Sequence, residues 1–334
     1  MSEAAYIRRV AIAIGALILV GLAWWLSTVI LLLFASVILS ILVRALSSVV
    51  ERMLKIGHGI SIALALLGLG AFLLVAFAFF GWRMESQFAQ LLGLLPSAFN
   101  KLLAWVQQQP LGETIIRNLQ ASGIASAMPT LAHIPGYALG LLGGLADLLL
   151  VAAGGIYLSI QPEAYYAGFL RLFSPTHRKS VRAVGGEIAS NLRRWLFGQI
   201  AAMAIVGFMV GIAMWAIGVP AAGALGIFAG FAEFVPIAGP ISATIPALLM
   251  ALLIGIDKAG WTLLIFVIIQ QAEGNIIIPI IQQRMVRIPP VVTIFAIVVF
   301  GLLFGLIGIV LATPLTIMAS VLLNHYLHDR DIEA

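Results

Sequence analysis

From Val10 to Val43 the chain carries no charged residue, a run of thirty-four positions. As one helix it would extend about 51 Å at ~1.5 Å per residue, against a hydrocarbon core of about 30 Å. A single membrane crossing cannot absorb that length. The run therefore reads as two spans turning near Ser27–Thr28, just after Trp24 and Trp25, which suit an interfacial aromatic anchor. Arg8 and Arg9 precede it, but the stretch exceeds the roughly 7–15 residues of a secretory h-region, so it is expected to stay as an uncleaved span.

Composition carries the same message along the whole chain. Of 334 residues 62% are hydrophobic and 9% charged, against roughly 45–50% and about 25% in soluble domains. So few charges cannot clothe a soluble surface, which excludes a soluble enzyme, a nucleic-acid-binding domain and a disordered scaffold. The apolar runs lack the alternation of barrel strands. The fold class is all-α, a polytopic helical membrane protein. With no cysteine there is no disulfide, thiolate metal site or Cys nucleophile.

Further spans read as Ile60–Trp82, Leu139–Ile160, Trp195–Ile217 and Trp261–Ile281. Val219–Ile256 and Ile288–Leu323 are too long for one span and are interrupted centrally. The first carries Glu233-Phe234-Val235-Pro236-Ile237-Ala238-Gly239-Pro240, the second Gly301, Gly305, Gly308 and Pro314. If both are hairpins that enter and leave on one face, and the N-terminus is cytoplasmic, fourteen Lys/Arg fall inside and four outside. If only the first crossed fully, Arg284 and Arg287 would change sides and the bias would weaken to about twelve against six, so the positive-inside rule favours hairpins. The expected layout is about six full spans plus two Gly/Pro-broken hairpins. Its parts are a three-span region 1–82, extramembrane amphipathic helices 83–138, a fourth span with a basic cytoplasmic loop 139–194, two span-plus-hairpin repeats 195–256 and 257–323, and a tail 324–334. The two repeats would be inverted copies whose interrupted segments free backbone groups for a solute. The competing reading of the second is two short helices with a glycine packing face, since Gly301 and Gly305 also form Gly-x-x-x-Gly.

In 83–138, Leu95, Phe99, Leu102, Leu103 and Val106 follow helical spacing. This piece is either a membrane-surface or subunit-contact element, or a plain connector. The basic stretch 161–194 reads as a topology anchor.

Ionisable groups inside a bilayer cost about 2.5–3.5 kcal/mol each on insertion scales, which makes each a functional candidate. Glu233 lies directly before the Pro236/Gly239/Pro240 break. Glu273 lies in Gln270-Gln271-Ala272-Glu273-Gly274-Asn275, with Pro279 a turn later. Pro279 has no N–H and its ring crowds the carbonyl of Asn275, while Gly274 loosens the same turn. A carboxylate, amides and a freed carbonyl thus gather within a few residues, suited to cation coordination or to hydrogen bonding a polyol. A polar patch joining two helices is the alternative. Asp147, after Gly143-Gly144, is a further candidate that a water-facing end would also explain. His58, His133, His177, His325 and His328 fall in loops or tails; the last two have i, i+3 metal-ligand spacing but read as an exposed helix end. No Walker A element, hydrolase triad or metal-protease spacing is present, and no cofactor or metal is expected.

These motifs resemble the autoinducer-2 exporter family, also described as PurR-regulated permease-like or PerM-like proteins. Glu233 through Pro240 is similar to its E-x-x-P-x-x-G-P element. Gln271-Ala272-Glu273-Gly274-Asn275 through Pro279 is similar to its Q-x-E-x-N…P element, and Pro290, Gly301, Gly305, Gly308 and Ala312-Thr313-Pro314 to its closing segment. The chain departs from the family pattern at Gln283 and Pro289. The resemblance implies secondary transport in a bacterial inner membrane: export of autoinducer-2 by some members, sodium/proton antiport by others. It also implies that Glu233, Pro236, Gly239, Pro240, Glu273, Asn275 and Pro279 line the pathway, to which Gln270 and Gln271 are added here. The expected partners are the lipid bilayer, a small polar solute with protons or sodium, and further copies of the chain in a homo-oligomer. Both termini are expected in the cytoplasm. The alternative outside transport is a non-transporting membrane scaffold that assembles through its glycine faces and the 83–138 helices.

Overall fold

The computed structural model describes residues 24–71, 135–279 and 289–333, with isolated positions between 14 and 22 and between 74 and 108; the side chains of 135–143 and 328–333 are not among them. Every regular element among the described residues is helical, as an apolar chain in lipid requires, because a helix satisfies its backbone polar groups within one segment. In order they are α1 (Ser27–Leu54), α2 (His58–Ala71), α3 (Pro135–Ile160), α4 (Pro162–Leu170), α5 (Arg178–Ala216), α6 (Ala222–Ala232), α7 (Ala238–Ile254), α8 (Ile256–Ala272), extended by a π-helical turn (Glu273–Ile277), and α9 (Pro290–Glu333).

Four of these helices are long and apolar enough to cross a membrane, with α9 counted whole across its break at Gly305, or five if the bent pair α3–α4 counts as one. The predicted span Ile60–Trp82 is described only as far as α2. Several expectations lie outside the described residues. They are most of 83–138, including Leu95, Phe99 and Leu102, the positions Arg8, Arg9, His133 and Gln283, and the topology markers Arg284 and Arg287.

The chain divides into two compact units. Met1–Ile62, Leu145–Gly186 and Ile288–Ala334 form one; Ala63–Gly144 and Glu187–Arg287 form the other. In the first, α1 follows a distorted residue, Leu26 (φ −89°, ψ 7°), but the chain does not turn back near Ser27–Thr28 as expected: the Leu26 N–H bonds the Leu22 carbonyl at 2.9 Å and the Ile30 N–H bonds the Leu26 carbonyl at 3.0 Å, so helical bonding carries through. It ends at Lys55 in the left-handed region (φ 54°), whose N–H bonds the Glu51 carbonyl. The Ser47 and Ser61 hydroxyls, both fully buried, meet at 2.9 Å and tie α1 to α2.

Two expectations for this unit are revised. The stretch 161–194 is helical over most of its length: α4 fills 162–170, and α5 begins at Arg178 rather than at Trp195. Charged residues such as Arg193 and Arg194 are good helix formers, so the transmembrane helix continues past its apolar part. His325 is half-buried, with Nε2 2.7 Å from the Ser180 hydroxyl, so the end of α9 packs against the start of α5.

The second long run is interrupted at one place. Gly305 has φ 64° and ψ −144°, a conformation closed to side chains, and there the chain folds back. A Cβ at Gly308 would collide with the Phe300 carbonyl, and one at Gly301 would lie 2.8 Å from Ile309 Cγ1. In a straight helix the eight steps from Phe300 to Gly308 would span about 12 Å. Pro314, grouped with the breaking residues from sequence, sits fully buried inside the continuing helix.

In the second unit α5, α6, α7 and α8 enclose an apolar core that includes Val210, Met214, Leu225, Ala247, Met250 and Phe266. Leu94 packs against this core, and Lys101 Nζ donates to the Leu253 carbonyl at 2.9 Å, placing a cation on the C-terminal end of α7. α5 and α6 touch backbone to backbone. A Cβ at Gly226 would lie 2.6 Å from Gly211 Cα, and one at Gly230 2.8 Å from the Met203 carbonyl. Backbone cannot yield as a flexible side chain does, so Gly226→Ala is expected to lower stability by about 1–3 kcal/mol, the range for overpacking. A fall in the unfolding midpoint of the detergent-solubilised variant checks this, with Gly260→Ala, in open space, as the unperturbed control.

Candidate functional site

The run Val219–Ile256 breaks where Pro236, Gly239 and Pro240 stand. α6 ends at Ala232, after eleven residues or about 16 Å, and α7 begins at Ala238. Between them Ile237 adopts φ 71° and ψ −56°, and the Ala238 N–H bonds the Pro236 carbonyl at 2.8 Å. This is the γ-turn with a positive central φ, a rare and strained form, and it is held by a β-branched residue. Gly239 follows because a Cβ there would collide with the Ala232 carbonyl. Pro240 is accommodated in the first turn of α7, where a missing N–H costs nothing.

The backbone groups of the break are largely satisfied. Glu233, Phe234 and Val235 donate back to Ala229, Phe231 and Ala232, and Gly239 donates to Val235 at 2.8 Å. Gln199 Nε2 on α5 reaches across to the Glu233 carbonyl at 2.6 Å. Ser242 and Thr244 donate to the carbonyls of Gly239 and Pro240. Trp195 packs edge-on against Phe234, ring centroids 5.6 Å apart.

Glu233 itself points inward and is 1% exposed. Opposite it, at the end of α8, Glu273 is 7% exposed and opens the π turn, whose wider loop closes with the Ile278 N–H on the Glu273 carbonyl. π turns of this kind recur at functional sites. Here the cause is local: Pro279 offers no N–H to the carbonyl four residues back. The two carboxyl groups are close enough to interact with each other. Gln270 Nε2 donates to Glu273 Oε2 at 2.9 Å, while Glu233 Oε2 is buried without a partner.

Glu233, Glu273 and Gln270 are thus brought together, with Pro236, Gly239 and Pro240 shaping the break beside them. Gln271 and Asn275 face outward, where the Asn275 amide donates to the Gln271 carbonyl and side-chain oxygen at 2.9 and 3.0 Å. Gly274 and Pro279 are exposed within and just after the π turn. Asp147 is half-buried on α3 in the other unit, which also holds Gly301, Gly305, Gly308 and Pro314. Among the described residues no cluster of three or more His, Asp or Glu side chains is arranged to hold a metal ion.

Sequence reasoning passed over Gln199 and the glycine seam between α5 and α6. Both left a signal. Gln199 is the sole amide in the apolar stretch Trp195–Ile217, and Gly207/Gly211 and Gly226/Gly230 are two Gly-x-x-x-Gly pairs.

The model of the AI-2E family transporter matches residues 12–328. The chain belongs to the AI-2E transporter family. A putative transport protein of Bacillus subtilis, YrrI, is 33% identical over 153 residues, 46% of this chain and 43% of the relative. The AI-2 transport protein TqsA of Escherichia coli is 27% identical over 306 residues, 88% of this chain and 84% of the relative. The putative permease PerM of the same organism is 24% identical over 194 residues, covering 55% and 54%. Apart from TqsA, the match to these relatives spans about half the length of each or less.

In this AI-2E family member the geometry of the break separates two neighbouring substitutions. Gly239→Ala should lower the unfolding midpoint, because its Cβ meets backbone. Ile237→Gly should leave the midpoint unchanged or raise it, since it removes about 1–2 kcal/mol of positive-φ strain. Thermal unfolding of both variants in one detergent checks the contrast.

Proposed function

We propose that this protein is a secondary transporter of the bacterial inner membrane, moving a small polar solute past the α6–α7 break and the π turn of α8. The observation that carries the reading is the Glu233–Glu273 pair. Two acids buried in an apolar chain each cost about 2.5–3.5 kcal/mol, and an unpartnered buried oxygen adds about 1–3 kcal/mol. A purely structural patch would not need that expense. Interrupted helices with polar groups at the break are also how secondary transporters bind solutes. By likeness to the AI-2 transport protein of Escherichia coli, AI-2 is the first solute to test. In this reading both termini lie in the cytoplasm.

A second reading, monovalent cation/proton antiport, is favoured by the same pair, since two adjacent carboxyl groups can hold either a proton or a cation. Sodium-dependent pH change inside proteoliposomes, without any organic solute, selects this reading over solute export.

For either reading, Glu273→Gln and Glu233→Gln are close in shape to the native side chains and should insert normally. Each is expected to reduce flux by roughly tenfold or more, the loss of one charge-assisted hydrogen bond, and to flatten its dependence on pH. Flux at the native rate and with the native pH profile in both variants refutes the role assigned to the pair. A chain that carries no solute or ion at all, in native form, is a scaffold.

A further inference from the structure

α4 lies across the end of α3: the helices Gly144–Ile160 and Pro162–Leu170 meet at 91°. α3 exposes Leu145, Leu148, Leu149 and Ile160, as a helix surrounded by lipid does. A helix set at right angles to a membrane-crossing one runs along the membrane plane. Nine residues are too few for a helix stable alone in water, so α4 depends on what fixes it.

Its inner face is fixed to α5. The Tyr166 hydroxyl lies 3.2 Å from the Val181 carbonyl and 3.3 Å from that of Arg182, over Gly185, where a side chain would collide with it. Leu170 is buried. Arg178 Nε donates to the carbonyls of Leu170 and Phe173 at 3.1 Å each, putting a cation at the C-terminal end of α4.

The outer face is unlike that of a water-facing helix. Tyr165 and Phe169 follow i, i+4 spacing on α4 and Leu172 lies in the turn just after it, its N–H on the Phe169 carbonyl at 3.1 Å; all three are exposed, Leu172 at 81%. Beside this stripe Arg171, Lys179 and Arg182 are exposed. Between 162 and 186 four cations, counting Arg178, face a single acid, Glu163.

We propose that α4 and the start of α5 form an interfacial site for anionic phospholipid, in which Tyr165, Phe169 and Leu172 enter the acyl boundary while Arg171, Lys179 and Arg182 hold headgroup phosphates. The occupant is lipid because the stripe sits at the end of a membrane-crossing helix and joins aromatic with basic side chains, the pattern of helices that lie in an anionic leaflet. The site stands independently of the transported solute.

The absence of cysteine makes Tyr165→Cys and Leu172→Cys single labelling sites. Each full-length variant, carrying a nitrobenzoxadiazole label, is reconstituted into phosphatidylcholine vesicles with or without phosphatidylglycerol, each lipid also supplied in brominated form as a quencher. The expected result is blue-shifted emission, with brominated phosphatidylglycerol quenching several-fold beyond its mole fraction. Adding Arg171→Gln, Lys179→Gln or Arg182→Gln should reduce that excess by about fivefold per charge while the blue shift persists. Solvent-like emission at both positions overturns the proposal and makes the stripe a surface for a soluble partner. So does blue-shifted emission with equal quenching by the two lipids and no response to the charge substitutions.

Discussion

An apolar solvent gives backbone amides and carbonyls no partner, and the rest of this structure follows from that constraint. Helices meet it without help. Wherever a helix is interrupted, the protein must supply the missing bonds itself, and the break between α6 and α7 shows how. Three successive N–H groups turn back on the preceding turn, a γ-turn closes on Pro236, and Gln199 from another helix takes the Glu233 carbonyl. The two prolines remove donors that would otherwise need acceptors.

The same constraint explains why glycine holds the helices of the second unit together. Between helices in lipid there is little hydrophobic gain, so close packing has to supply the attraction. Gly207, Gly211, Gly226 and Gly230 let two backbones come into direct contact. That seam fixes α6 against α5 and so fixes where Glu233 hangs. The acid faces Glu273 because α7 returns along α8 and because the π turn rotates the end of α8. The site is therefore a product of two local helix defects held in register by ordinary packing.

Much of this was legible in the residue order. The long uncharged runs announced membrane helices, the Pro236/Gly239/Pro240 cluster marked the break, and Gly274 with Pro279 marked the irregular turn at Glu273. The basic stretch after α3 was read as a loop because charge suggests solvent, yet charge does not prevent a helix, and α5 runs on through Arg193 and Arg194. Gln199 went unremarked because an amide is a weak signal beside two acids. The side-chain directions of Gln271 and Asn275 followed from helical phase, which a π turn shifts and a motif cannot report.

The order of residues alone determined the all-helical membrane class, the family and the positions at which helices must fail, since those depend on local hydropathy and on the backbone chemistry of proline and glycine. Tertiary structure alone decided that Glu233 and Glu273 share one buried place, that Gln270 joins them while Gln271 and Asn275 turn away, and that Gly305 rather than Pro314 reverses the second hairpin. Those outcomes depend on which distant segments touch, and a contact between segments forty residues apart leaves no local pattern to read.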